Sequence, residues 1–162
     1  MRILGIDPCI HGGCAIISIN NGTVPQLIDA IDIPTVGTGA KERVDVLALR
    51  AWIKSHQPDR SAIERGQALP RQGSSSDFKF GRACGALEAA LALCEVPLTI
   101  VEPSVWKRAQ HLRGGDKEQA RQRAIEIFPS AHPLLARKKD HQRAEAALIA
   151  LYASGELDAK TA

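Results

Sequence analysis

Apolar and polar positions divide this chain into short runs separated by turn residues. Ile3-Leu4-Gly5-Ile6 is a continuous apolar run that ends in Asp7 and is stopped by Pro8. Such a run predicts a strand buried on both faces. Cys14-Ala15-Ile16-Ile17-Ser18-Ile19 predicts a second strand, reached through a turn carrying Gly12 and Gly13. Asn20-Asn21-Gly22 is a hairpin signal, and Gln26 to Ile33 reads as a third strand ended by Pro34. These three strands are expected to form an antiparallel meander. After a loop over residues 34–39 the period changes. Val44, Val46, Leu47, Leu49 and Ile53 mark the apolar side of a helix over 41–56. Ser61-Ala62-Ile63-Glu64 is another strand ending in an acid, and the helical crossover before it favours a parallel neighbour.

The second half alternates in the same way. Residues 65–76 are a polar loop, either a linker or a functional segment. The helix expected over 77–94 is rich in small residues: Gly81, Ala83, Gly85, Ala86, Ala89, Ala90 and Ala92. Small residues admit a close backbone, either the sheet or a partner subunit. Residues 97–101 read as a fifth strand, again followed by an acid, Glu102. A short helix is expected over 104–111 with Ser104 as its N-cap. After a break at Gly114-Gly115, Asp116 is placed to cap a helix over 117–128. A turn over 129–133 leads to a last helix over 140–154, with Ala144, Ala147, Leu148 and Leu151 on its buried stripe.

Composition narrows the class. The 162 residues are 44% hydrophobic and 24% charged, as expected for one globular domain spanning 1–162. No apolar run approaches the roughly 20 residues of a membrane span. The N-terminus lacks the pattern of a signal peptide, so the expected location is cytoplasmic. Cys9, Cys14, Cys84 and Cys94 form no CxxC pair and are expected as free thiols. Net charge is only +3, but Lys107, Arg108, Arg113, Lys117, Arg121, Arg123, Arg137, Lys138, Lys139 and Arg143 crowd one region. Either a polyanionic partner or a solvated basic face accounts for that bias.

Acids punctuate the strand ends. Asp7 and Glu64 close two apolar strands, and the last helix begins near Asp140-His141 and carries Glu145. An acid at a strand end can simply cap the next loop. Gathered at one sheet edge, however, such carboxylates repel one another unless cations neutralise them, and hard oxygen donors suit Mg²⁺ or Mn²⁺. Two ions about 4 Å apart can activate water on one side of a phosphodiester and stabilise the leaving oxygen on the other. His141 and Glu145, four apart, share a helix face. Asp140 and Glu145 diverge by about 140° on a continuous helix, so Asp140 joins only if the helix starts after it. No phosphate-binding GxxxxGK[ST] loop and no GxSxG nucleophile turn is present.

The order of elements resembles the ribonuclease H-like α/β fold, a five-stranded mixed sheet flanked by helices. Ile3 to Pro8, Ala62-Ile63-Glu64 and Arg143-Ala144-Glu145-Ala146 together resemble RuvC-type Holliday junction resolvases. Pro103-Ser104-Val105-Trp106-Lys107 is similar to the Pro-x-x-Trp-Lys element of their phage-type relatives. The resemblance implies metal-binding roles for Asp7, Glu64 and Glu145. It implies one further ligand three or four residues before Glu145, for which His141 is the first choice and Asp140 the second. It also implies Mg²⁺ or Mn²⁺, two ions per site, a DNA substrate and a homodimer. Arg71, Lys107, Lys138, Lys139 and Arg143 are the candidate DNA contacts. The chain departs from the family's pattern in having Cys9 where Gly commonly follows Asp-Pro. It also has Ala68 and Leu69 near the place of a base-stacking Phe, with Phe78 farther along. The function expected is cleavage of a branched junction. The alternatives are an exonuclease on single-stranded or damaged DNA, an RNA-processing nuclease of the same fold, and a branched-DNA-binding module that does not cut.

Overall fold

The computed structural model describes residues 1–20, 23–67, 73–112 and 117–155. The hairpin signal at Asn21-Gly22, the break at Gly114-Gly115, the cap Asp116 and the candidate DNA contact Arg71 lie outside the described residues.

Strands β1 (Arg2–Asp7), β2 (Gly13–Ser18) and β3 (Gln26–Asp32) form the expected meander. A small hairpin of β4 (Thr35–Val36) and β5 (Arg43–Val44) precedes α1 (Val46–His56). Strand β6 (Arg60–Glu64), helix α2 (Ser74–Leu93) and strand β7 (Leu98–Val101) follow. The chain then forms α3 (Pro103–Ala109), α4 (Lys117–Ile127) and α5 (His141–Ala153), the last preceded by 3-10 turns at Pro129–Leu135 and Lys138–Asp140. The main sheet has the order β3-β2-β1-β6-β7. Strand β1 runs antiparallel to β2 and parallel to β6, and β6 runs parallel to β7. This is the five-stranded mixed sheet that the resemblance implies.

Several boundaries differ from the sequence reading. The helix expected over 41–56 begins only at Val46, because Asp45 caps it: its Oδ1 accepts the Ala48 N–H at 3.0 Å. The residues before it pair as β5 instead. The helix expected over 104–111 opens on Pro103 rather than after a Ser104 cap. Proline suits the first helical position because the N–H it lacks would have no helical partner there. The last helix starts at His141, and Asp140 closes the turn before it.

Each sheet face builds its own core. Leu4, Ile6, Cys14, Ile16 and Ile63 point towards α1 and α2, where Leu49, Ile53, Ala83, Leu87 and Leu91 are buried. Ile3, Ala15, Ile17 and Ala62 point the other way, to Trp106, Ala124, Phe128 and the apolar length of α5. From Ala146 to Leu151 every α5 residue is buried, as befits a helix enclosed by the sheet and by other helices. The small residues of α2 divide between its faces. Ala83 and Ala90 are buried, whereas Gly81, Gly85, Ala89 and Ala92 are exposed. No helix among the described residues is long and apolar enough to cross a membrane.

The α5 helix approaches the sheet backbone to backbone. A Cβ on Gly5 would lie 1.9 Å from the Ala146 carbonyl oxygen and 2.7 Å from the Ala150 nitrogen. One on Gly13 would lie 2.4 Å from the Gln142 carbonyl oxygen. Gly5→Ala must therefore push helix and strand apart. We expect a loss of about 3 kcal/mol, the upper end of overpacking costs, measured by urea denaturation of the metal-free protein.

Candidate active site

Strand register brings the first two acids together. The last paired residues of β1 and β6 are Ile6 and Ile63. One residue farther along these parallel neighbours come Asp7 and Glu64. Ile6 and Ile63 belong to the α1–α2 face, so alternation turns Asp7 and Glu64 towards the α5 face. There α5 supplies Glu145, held by the close contacts at Gly5 and Gly13.

The cation between Glu64 and Glu145 belongs to the protein. Lys107 Nζ lies 3.9 Å from Glu64 Oε2 and 3.6 Å from Glu145 Oε2. Both carboxylate side chains are mostly buried, with 17% and 14% of their surface exposed. Trp106 Nε1–H donates to Glu64 Oε2 at 2.6 Å, and the Lys107 ammonium stands 5.1 Å from the centre of the same indole. Burial pushes the Glu64 carboxyl up. The Lys107 ammonium and the Trp106 donor pull it back, and the Glu145 charge adds to the rise, so the net shift is upward. Under Asp7, the Cys14 thiol is driven far up by burial and then by the Asp7 charge, which makes it an inert core residue. All four cysteines are free thiols.

At the start of α5 the two candidates for the remaining ligand are treated very differently. Asp140 is buried, and Arg137 surrounds it. The Arg137 N–H donates to Oδ2 at 2.8 Å, and its guanidinium donates to Oδ1 at 2.7 and 3.0 Å. Burial pushes this carboxyl up, but Arg137, with Arg143 at 3.9 Å, outweighs it and holds the group below the usual aspartate range. Asp140 thus secures the turn that leads into α5. His141 is the opposite case. Its Nδ1 lies 3.1 Å from the Lys138 carbonyl oxygen, while its Nε2 is buried and makes no hydrogen bond among the described residues. With Nδ1–H donating to that carbonyl, Nε2 carries a lone pair, the arrangement usual for a ligating imidazole.

The cationic candidates also separate. Lys107 sits between the acids. Arg143 is drawn to the end of β3, where its Nε donates to Asp32 Oδ1 at 2.6 Å, leaving the side chain 17% exposed. Lys138 and Lys139 are exposed on the turn before α5. Sequence reasoning did not anticipate Trp106 as a partner of Glu64 or Arg137 as the partner of Asp140. The first was signalled by the indole preceding Lys107, the second by an Arg three residues before an acid.

Do these groups suit divalent ions? Among the described residues no three His, Cys, Asp or Glu side chains, as placed, converge to enclose an ion. The donor chemistry nevertheless fits. Two carboxylates already share one cation, and the His141 Nε2 has no partner among the described residues.

The family model described as crossover junction endodeoxyribonuclease RuvC matches residues 3–151. A protein of that name from Rhodospirillum rubrum is 27% identical over 96% of this chain and 98% of its own length. Another from a Nocardioides species is 30% identical over 67% of this chain and 63% of its own. Among solved structures, Thermus thermophilus RuvC in complex with a Holliday junction substrate superposes with a TM-score of 0.70. It is 23% identical, and the match covers 97% of this chain and 98% of that one.

Glu64 and Asp140 make opposite demands on stability. Glu64 is raised from 4.5, so the folded protein holds its proton longer than the unfolded chain does. The stability this group contributes is present at low pH and is lost as pH rises above 4.5 through the folded value. Glu64→Gln should therefore become progressively more favourable, relative to wild type, across that window. Asp140 is lowered from 3.8, so its contribution is present above that value and is lost as pH falls through the folded value. Asp140→Asn should cost about 1–3 kcal/mol at neutral pH and progressively less in acid. Urea denaturation of both variants across pH, without metal, checks both signs.

Proposed function

Because the chain belongs to the RuvC crossover junction endodeoxyribonuclease family, we propose that it is a divalent-metal-dependent endonuclease that cleaves Holliday junctions in DNA recombination and repair. The observation that carries the reading is that Lys107 joins Glu64 to Glu145 at the sheet edge where Asp7 also ends its strand. Asp7 and Glu64 end neighbouring parallel strands, and Glu145 shares the Lys107 ammonium with Glu64. Carboxylate and imidazole donors on rigid elements are the chemistry that a divalent ion takes up, and carboxylates brought together without a cation would be costly.

Asp7, Glu64, Glu145 and His141, through Nε2, would hold the ions, Mg²⁺ or Mn²⁺ and two per site. Asp140 serves instead to fix the turn that presents His141. Bound there, the ions supply Lewis-acid activation of the attacking water and stabilisation of the departing oxygen. Lys107 is the cation nearest the reacting phosphate. Lys138 and Lys139 reach the flanking phosphates, where their contribution is electrostatic and salt-dependent. Arg143 contributes mainly through its bond to Asp32, which fixes the start of α5 against β3. The exposed stripe of α2, with Phe78 at 69% and Leu93 at 62% exposure and Gly81, Gly85, Ala89 and Ala92 between them, supports a homodimer. A twofold assembly places two such sites on opposed strands of a junction.

End-labelled four-way junction, duplex, single-stranded DNA and RNA, each incubated with Mg²⁺ or Mn²⁺, test the reading. We expect paired nicks near the branch point, lost on chelation. Asp7→Asn, Glu64→Gln and Glu145→Gln should each lower the rate at least about 10³-fold, the scale of removing a group that stabilises the transition state, while leaving junction binding intact. Progressive shortening of single strands would replace this reading with an exonuclease, and cleavage of RNA alone with an RNA-processing enzyme. Binding without any cleavage would leave a junction-binding module.

A further inference from the structure

We infer that Trp106 is a positioning residue for Glu64, an assignment that rests on the metal-dependent reading above. The indole is fully buried in the core shared with α5, so packing holds its ring. Its Nε1–H donates to Glu64 Oε2 at 2.6 Å. An indole nitrogen can only donate, whereas the terminal torsion of a glutamate is broad and roughly two-fold when nothing fixes it. The bond pins that torsion and selects one carboxylate orientation at the end of β6.

A buried tryptophan needs some acceptor for its N–H, and a backbone carbonyl would serve for packing alone. Here the donor goes to a strand-end carboxylate that also faces Lys107. The backbone on which the indole stands is itself tied down. The Trp106 N–H bonds the Glu102 carbonyl at 3.2 Å, and the Trp106 carbonyl accepts the Gln110 N–H at 3.0 Å. The buried Gln110 side chain in turn donates to the Leu148 carbonyl of α5 at 3.4 Å. The donor to Glu64 is thereby registered to the helix that carries Glu145. The next residue, Lys107, spans from Glu64 to Glu145. One dipeptide thus fixes Glu64 by a hydrogen bond and bridges the two acids by a charge. Partners that orient a ligating carboxylate typically contribute tenfold to a hundredfold in metal affinity.

The test is Mn²⁺ binding, followed by calorimetric titration at about pH 8, well above the ordinary carboxylate range, so that orientation is read rather than ionisation. Wild type is compared with Trp106→Phe and with a protein carrying 3-benzothienylalanine at position 106, which keeps the bicyclic shape and removes the N–H. We expect Mn²⁺ to bind about tenfold or more weakly to both variants. The benzothienyl protein should keep the metal-free melting temperature and metal-free junction affinity of wild type. If it binds Mn²⁺ within about twofold of wild type, the positioning role is overturned whatever the Phe variant does. Failure of the wild-type protein to bind Mn²⁺ would overturn the metal-dependent reading itself, and this inference with it.

Discussion

The site depends on how closely α5 lies against β1. With Ala146 and Ala150 directly over Gly5, and the Gln142 carbonyl over Gly13, helix and strand meet backbone to backbone. That distance determines where Glu145 comes relative to Asp7 and Glu64. The α5 sequence is suited to it: alanines at 144, 146, 147 and 150 present little bulk, and the helix is apolar on almost every side because it is enclosed by the sheet and by α3 and α4. A longer side chain at Gly5 would weaken the core and displace the one acid that a helix, rather than a strand, brings to the site.

Placing acids together has an electrostatic cost, and the fold meets it locally. Desolvation is the largest influence on Glu64 and works against its charge; Lys107 and the Trp106 N–H oppose it without cancelling it. The metal-free site therefore retains an unfavourable ionised carboxylate. On the metal-dependent reading proposed above, a divalent ion would offset that cost. Asp140 is balanced the other way. Arg137 and Arg143 more than compensate its burial, which leaves little reason for it to seek a cation. Two neighbouring side chains, Asp140 and His141, thus have very different surroundings.

Much of this could be read from the chain. The strands were legible because each is a short apolar run closed by an acid or a breaker, and the parallel pairing of the first and fourth long strands follows from a helical crossover. That pairing puts Asp7 and Glu64 side by side before any coordinates are known. Less legible was everything decided by long-range contacts. The helix expected over 41–56 loses its first turn to the β4–β5 pairing because Asp45 caps the chain at Val46. Arg143, counted among the phosphate contacts, is held by Asp32, more than a hundred residues earlier in the chain. No local pattern specifies such a partner.

Between Asp140 and His141, the question left by the sequence was one residue of helix phase. On spacing alone, Asp140 could join Glu145 only if the helix began after it, and α5 does begin at His141. Phase therefore leaves Asp140 open; its hydrogen bonds are what speak against it. Three donors from Arg137 converge on that carboxylate, and withdrawing it to bind an ion would leave a guanidinium unpaired and the turn before α5 unheld. His141 loses nothing by ligation, since its Nδ1 is already paired with the Lys138 carbonyl and its Nε2 has no partner to give up. On the proposed reading, the better ligand is the residue that can reach an ion without unmaking the structure that presents it.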